Sequence, residues 1–144
     1  MDTQWLLEHS EVTAASPAFV WAYWTDVRNW ADPPASFRLD GPFEVGSRGM
    51  TMLPDREPIH WTLDDVQPGK SYTLVSDLGG AALVCEWRFE PASDGATRLT
   101  QRIGVSGSGA ALQVAGVRGA LEPTLASGMK RIAGLLAEAE ARSE

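Results

Sequence analysis

From about Ala110 to Ala141, apolar residues fall at Val114, Val117, Leu121, Leu125, Met129, Ile132, Leu136 and Ala139. Steps of three and four are helical spacing, so these positions predict one apolar stripe along one long helix. Lys130, Arg131, Glu138 and Arg142 fall off the stripe, where water solvates them. Gly128 falls on it and leaves a hole instead of filling an interface. Pro123 lacks a backbone donor and crowds the carbonyl of Gly119, which predicts a kink or a break. A helix of this length needs a broad apolar partner.

The preceding residues supply one. Trp5 to Val12 predicts a first strand, with Trp5, Leu7 and His9 on one face and Leu6 and Glu8 on the other. Ser16-Pro17 opens a helix, serine as N-cap and proline at its first position. Asp26 caps a second short helix through Trp30, and Asp32-Pro33-Pro34 stops it. From Ser36 the period becomes two. Strands are predicted over Phe37–Leu39, Met50–Leu53, Ile59–Leu63, Tyr72–Asp77, Leu83–Phe89 and Leu99–Val105, with turns at Gly46–Gly49, Gln67–Lys70 and Ser93–Gly95. Ser108 is the expected cap of the long helix. The order is one strand, two short helices, six strands and one long helix: an α+β domain whose short connections favour antiparallel pairing. A sheet of about seven strands is wide enough to curl around the helix. The space between is then a filled core or a cavity.

The totals narrow the function. A chain of 144 residues suits one domain, 1–144, and 44 % apolar with 22 % charged residues is a globular composition. The net charge of −7 and the lack of any basic run argue against nucleic acid as a partner. Met1-Asp2-Thr3-Gln4 has neither the basic nor the apolar region of a signal peptide, and no apolar run approaches a membrane span. One cysteine, Cys85, excludes an internal disulfide and fits a reducing cytoplasm. The oligomeric state stays open between monomer and homodimer. Six tryptophans are many for this length, and Trp often borders a groove or cavity.

The chain resembles the START-like (SRPBCC) superfamily, in particular its polyketide cyclase/dehydrase and lipid-transport group. The resemblance rests on Ser16-Pro17, Val20-Trp21, Trp24-Thr25-Asp26-Val27 with Asn29-Trp30, Leu39-Asp40-Gly41-Pro42-Phe43 with Val45-Gly46, Asp94-Gly95-Ala96-Thr97 and the terminal helix. It implies a helix-grip fold: a curved antiparallel sheet around the long helix, with a deep apolar cavity between them. Members of the group carry lipids, hormones and polyketides, and some are enzymes. The sequence departs from its relatives at Ala31-Asp32-Pro33-Pro34, where many place a second aromatic, and at Pro123.

Common catalytic signatures are missing: there is no glycine-rich phosphate loop, His-Glu-x-x-His or Cys-x-x-Cys. His9 and His60 have no third ligand spaced for zinc, so neither metal nor cofactor is expected. Cys85 alternates with Leu83 and Trp87 and reads as a core residue, although a pair with His60 on a neighbouring strand is conceivable. His60 is an acid or base if it faces inward, but the alternation that turns Trp61 and Leu63 inward turns His60 to water. Gln101 shares a face with Leu99, Ile103 and Val105, as a satisfied core amide or as a tether for a ligand oxygen. Arg118 either snorkels to water or stands at the cavity mouth facing a ligand carboxylate or enolate. Glu86, Arg88 and Arg98 read as solvated cross-strand charges. Trp24, Trp30, Trp61, Tyr72, Trp87, Leu125 and Met129 are the candidate cavity walls, with Gln101 as the polar group among them.

Three functions follow: binding of a small hydrophobic or aromatic molecule; cyclisation of a poly-β-ketone by orientation and one acid/base group, for which His60, Gln101 and Arg118 are the candidates; and a chaperone-activator-like interaction module, which needs an exposed apolar patch.

Overall fold

The computed structural model describes residues 3–30 and 32–143. Met1 and Asp2, at the start of the segment read for a leader, and Ala31, in the departure before the prolines, lie outside them. Strand β1 (Gln4–Thr13) leads to helix α1 (Pro17–Trp24) and a 3₁₀ turn at Val27–Asn29. Strands β2 (Ser36–Asp40), β3 (Arg48–Met52), β4 (Ile59–Gln67), β5 (Ser71–Asp77), β6 (Ala82–Pro91) and β7 (Thr97–Ser106) follow. A 3₁₀ turn, Ala110–Gln113, then runs into helix α2 (Val114–Ser143). The strands form one antiparallel seven-stranded sheet in the order β1-β7-β6-β5-β4-β3-β2. With α2 laid against it, this is the helix-grip fold.

The local signals act as their chemistry dictates. Ser16 Oγ accepts from the Phe19 amide at 3.4 Å, and Pro17 occupies the first turn of α1. The Ser16 hydroxyl in turn donates to Glu140 Oε2 at 2.7 Å, which ties the start of α1 to the end of α2. Asp26 Oδ1 accepts from the Arg28 amide at 3.1 Å and starts the 3₁₀ turn. Two buried threonines tie elements together without leaving a polar atom unpaired: Thr13 Oγ1 at the end of β1 donates to the Ala133 carbonyl of α2 at 2.7 Å, and Thr97 Oγ1 to that of Ala15 in the loop before α1 at 2.8 Å.

Three expectations change. Trp5 does not share a face with Leu7, because a β-bulge between them shifts the register and turns Trp5 to the convex side. There the guanidinium of Arg102 lies 3.8 Å from its ring centroid. Ser108 does not cap α2; the chain enters through the 3₁₀ turn, which Gly109 precedes with no side-chain cap. Pro123 does not break α2, which runs unbroken from Val114 to Ser143. Pro123 and Gly119 are both exposed, so water can serve the carbonyl that loses its donor, and Gly119 has no Cβ to add to the crowding.

The core divides in two. One part joins Val20, Trp24 and Val27 to Trp61, Leu63, Tyr72, Trp87, Phe89 and Leu99 of the sheet and to Met129, Ala133 and Leu136 of α2. The other gathers Leu7, Ile103, Val105 and Val117. Leu125 packs against both. The cavity opens at this junction.

Candidate functional site

The cavity has a volume of about 270 Å³. Period two and strand register build its sheet wall. Tyr72 stands opposite Trp87, and Trp87 opposite Gln101, in one row across β5, β6 and β7. Leu74, Cys85 and Ile103 form the next row. The facing wall is α2, where Leu121, Leu125, Met129 and Ile132 line the space together with Gly128. Trp24, Trp30 and Phe37 close one end.

The aromatic side chains form a continuous cluster. Tyr72 and Trp87 stack with centroids 6.4 Å apart and planes 13° from parallel. Trp30 lies 5.7 Å from Trp24 and 5.4 Å edge-on from Phe37. Hydrogen bonds fix both indoles: Trp24 Nε1 donates to Tyr72 Oη at 2.9 Å, and Trp30 Nε1 to the Trp24 carbonyl at 2.6 Å. The walls are therefore held in place without a ligand.

Polar groups are few. Gln101 Nε2 donates to Cys85 Sγ at 3.5 Å, a weak bond. Burial pushes the Cys85 thiol up to about 11, against that bond. Burial likewise pushes the Tyr72 phenol well above its ordinary value, the Trp24 bond opposing it. Both groups keep their protons at neutral pH. At the mouth, Arg131 on α2 pairs with Asp32 at 3.0 Å across the chain that follows α1.

Of the residues singled out in the sequence, Trp24, Trp30, Tyr72, Trp87, Gln101, Leu125 and Met129 line this cavity. Trp61 does not. It faces inward, but Gly49 opposite leaves the space that its ring fills, so it is packed core. His60 is exposed on the convex face opposite Met50, and Cys85 lies two strands away, so they form no pair. Arg118 is exposed and pairs with Glu122 one turn on at 3.2 Å, away from the cavity. Glu86 and Arg102 form a two-pronged convex-face pair at 2.9 and 3.0 Å, with Arg88 3.4 Å from the same carboxylate.

Sequence reasoning missed Asp32 and Arg131, which need the tertiary fold to meet, and the pair His9–Glu11. His9 Nε2 and Glu11 Oε2 lie 2.6 Å apart on β1, where His9 faces Gln101 across the ladder. Among the described residues no group of three or more His, Cys, Asp or Glu is placed to hold a metal ion, and no helix is long and apolar enough to cross a membrane.

An open sheet gripping one long helix over an aromatic-lined cavity defines the class: an α+β helix-grip domain. The family model described as polyketide cyclase / dehydrase and lipid transport matches residues 4–139, and the chain belongs to that family. No curated protein matches it. Norcoclaurine synthase from Thalictrum flavum, solved in complex with dopamine and hydroxybenzaldehyde, is a structural neighbour at 12 % identity, with 99 % of this chain and 89 % of that chain covered and a TM-score of 0.67. Ara h 8.0201 is similar at 13 % identity, 95 % and 99 % coverage and a TM-score of 0.69. A protein from Nitrosomonas europaea is similar at 17 % identity, 94 % and 96 % coverage and a TM-score of 0.66. At these identities the likeness shows the fold.

Proposed function

We propose that this domain binds a small, flat hydrophobic or aromatic molecule in the cavity between the sheet and α2. The observation that carries this reading is the preformed wall of Trp24, Trp30, Tyr72 and Trp87 facing Leu125 and Met129, with the Gln101 amide as the polar tether. A volume of about 270 Å³ suits one or two fused rings better than a long acyl chain. Each 100 Å² of apolar ligand surface taken from water contributes about 2.5 kcal/mol before ordering costs. The neighbour solved with dopamine and hydroxybenzaldehyde supports aromatic cargo as a class. Tyr72 and Cys85 hold their protons, so neither acts as a base in the cavity at neutral pH.

Native mass spectrometry of the purified protein, gentle and then denaturing, tests the reading. A small aromatic molecule released on unfolding is the expected result. A clean mass, together with no thermal shift from a panel of naphthols, tetralones and hydroxyquinones, overturns it.

A further inference from the structure

We propose that His9 and Glu11 form an acid–base dyad, at a recess beside the main cavity, that exchanges the α-hydrogen of an aromatic ketone. The proposal rests on the cavity-binding reading for the placement of the ketone's rings. The alternation of β1 after its bulge puts Leu7, His9, Glu11 and Thr13 in register with the inward residues Ile103, Gln101, Leu99 and Thr97. The imidazole and carboxylate are largely shielded, at 28 % and 21 % exposure, and their 2.6 Å contact fixes the ring. With Nε2–H donated to Glu11, Nδ1 is the basic nitrogen, and no described residue bonds to it.

A recess of about 310 Å³ opens on His9, bounded by Leu7, Glu8, Glu122, Leu125 and Ala126. Leu125 also lines the main cavity, so the two spaces share that side chain. Gln101 lines the main cavity and is the cross-strand partner of His9. Directly opposed residues have Cβ atoms about 5 Å apart, so an amide donor and an imidazole base reach adjacent atoms of one molecule. The Gln101 bond to Cys85 Sγ, at 3.5 Å, is weak enough to exchange for a carbonyl oxygen.

In the step, the ketone oxygen accepts from Gln101 Nε2–H and His9 Nδ1 takes the α-proton. The C–H pair becomes the C=C bond of the enolate, and the carbonyl π pair moves to the oxygen held by the amide. The Glu11 carboxylate lies 2.6 Å from Nε2 of the ring that takes the proton. Glu122 lines the same recess, partly engaged by Arg118 at 3.2 Å, whereas the Glu8 side chain lies on the convex face with Arg88 3.9 Å away. Return of a solvent-derived proton to carbon restores the ketone, with no net oxidation.

The test uses 2-tetralone in D₂O, with loss of the C1 proton signal followed by NMR and binding followed in parallel by tryptophan quenching. The wild-type protein accelerates exchange, and His9→Ala loses about 100-fold of it, the scale of one general base. Glu11→Gln loses less, Gln101→Leu slows exchange, and His60→Ala, on the convex face, keeps the full rate. His9→Gln replaces His9→Ala should the latter fail to fold. Binding without accelerated exchange, or exchange that survives both His9 variants, overturns the dyad and leaves the cavity reading standing. Absence of quenching and of exchange in the wild type overturns both.

Discussion

The indole N–H of Trp24, the last residue of α1, donates to the phenolic oxygen of Tyr72 on β5 at 2.9 Å, and both side chains are buried. The bond fastens the short helix to the centre of the sheet and sets the angle of two cavity walls. Tyr72→Phe keeps the ring but strands a buried donor, which costs about 1–3 kcal/mol. Urea denaturation should show that loss. The pair should also couple: Trp24→Phe with Tyr72→Phe costs less than the two single losses added. Additive losses would show that the bond contributes nothing.

Gly49 and Trp61 form a second pair that only the register explains. They stand opposite each other on β3 and β4, and a Cβ on Gly49 would overlap the six-membered ring of Trp61. That ring is 4 % exposed and its Nε1 donates to Thr51 Oγ1 at 3.1 Å, so it has little room to yield. Gly49→Ala therefore overpacks the site and costs at least about 2 kcal/mol, read as a lower urea midpoint with altered tryptophan emission. An unchanged midpoint would mean that the ring moves freely.

These pairs mark what could be read before folding and what could not. Ser16-Pro17 carries its meaning within four residues, and the stripe of α2 within thirty, so both were legible as local pattern. Alternation in β6 and β7 placed Trp87 and Gln101 on the inner face, because neither strand is interrupted. Leu7 and His9 kept the shared face that alternation assigned them, whereas Trp5 required the bulge at Trp5/Leu7 to be known, since one extra residue swaps the faces of everything before it. Trp61 was correctly turned inward. Whether it lined a cavity or filled core depended on a glycine twelve residues earlier on another strand. Asp32 and Arg131 are 99 residues apart in sequence, and nothing local announces their pairing. The break that Pro123 could cause does not occur: the local penalty is real, but the exposed helix back lets water answer it.

Cys85 gives a prediction in pH. Burial raises its thiol from 9.0 to about 11 in the folded protein. Below pH 9 the folded and unfolded states both hold the proton, and this group adds no pH dependence. Between pH 9 and pH 11 the unfolded chain releases the proton while the folded chain keeps it, so stability falls as pH rises. The loss from this group reaches about 2 kcal/mol at pH 10.5. Tyr72 shifts in the same direction and extends the loss upward. Urea curves at pH 8 and pH 10.5 should show a smaller drop for Cys85→Ala than for the wild type. An equal drop would place the titration elsewhere. In the same protein at pH 8, a thiol reagent such as Ellman's should react with Cys85 far more slowly in the folded state than in urea.

Gly128 is where the cavity can be closed by design. It lies on the inward side of α2 among the lining residues, and a Cβ there would meet no atom within 4 Å. Gly128→Ala adds no clash and removes the entropic cost of a mid-helix glycine, so stability should rise by about 0.5–1 kcal/mol. Gly128→Phe projects a ring into the space and excludes a molecule of that size, while the helix and both core clusters stay formed. The expected outcome is a cooperative melt and native circular dichroism, with quenching by 2-naphthol abolished in Gly128→Phe and weakened in Gly128→Ala. Undiminished quenching in a folded Gly128→Phe protein would mean that the ligand binds somewhere other than between the sheet and α2. The aromatic wall would then be core, and the cavity-binding reading would fall with it.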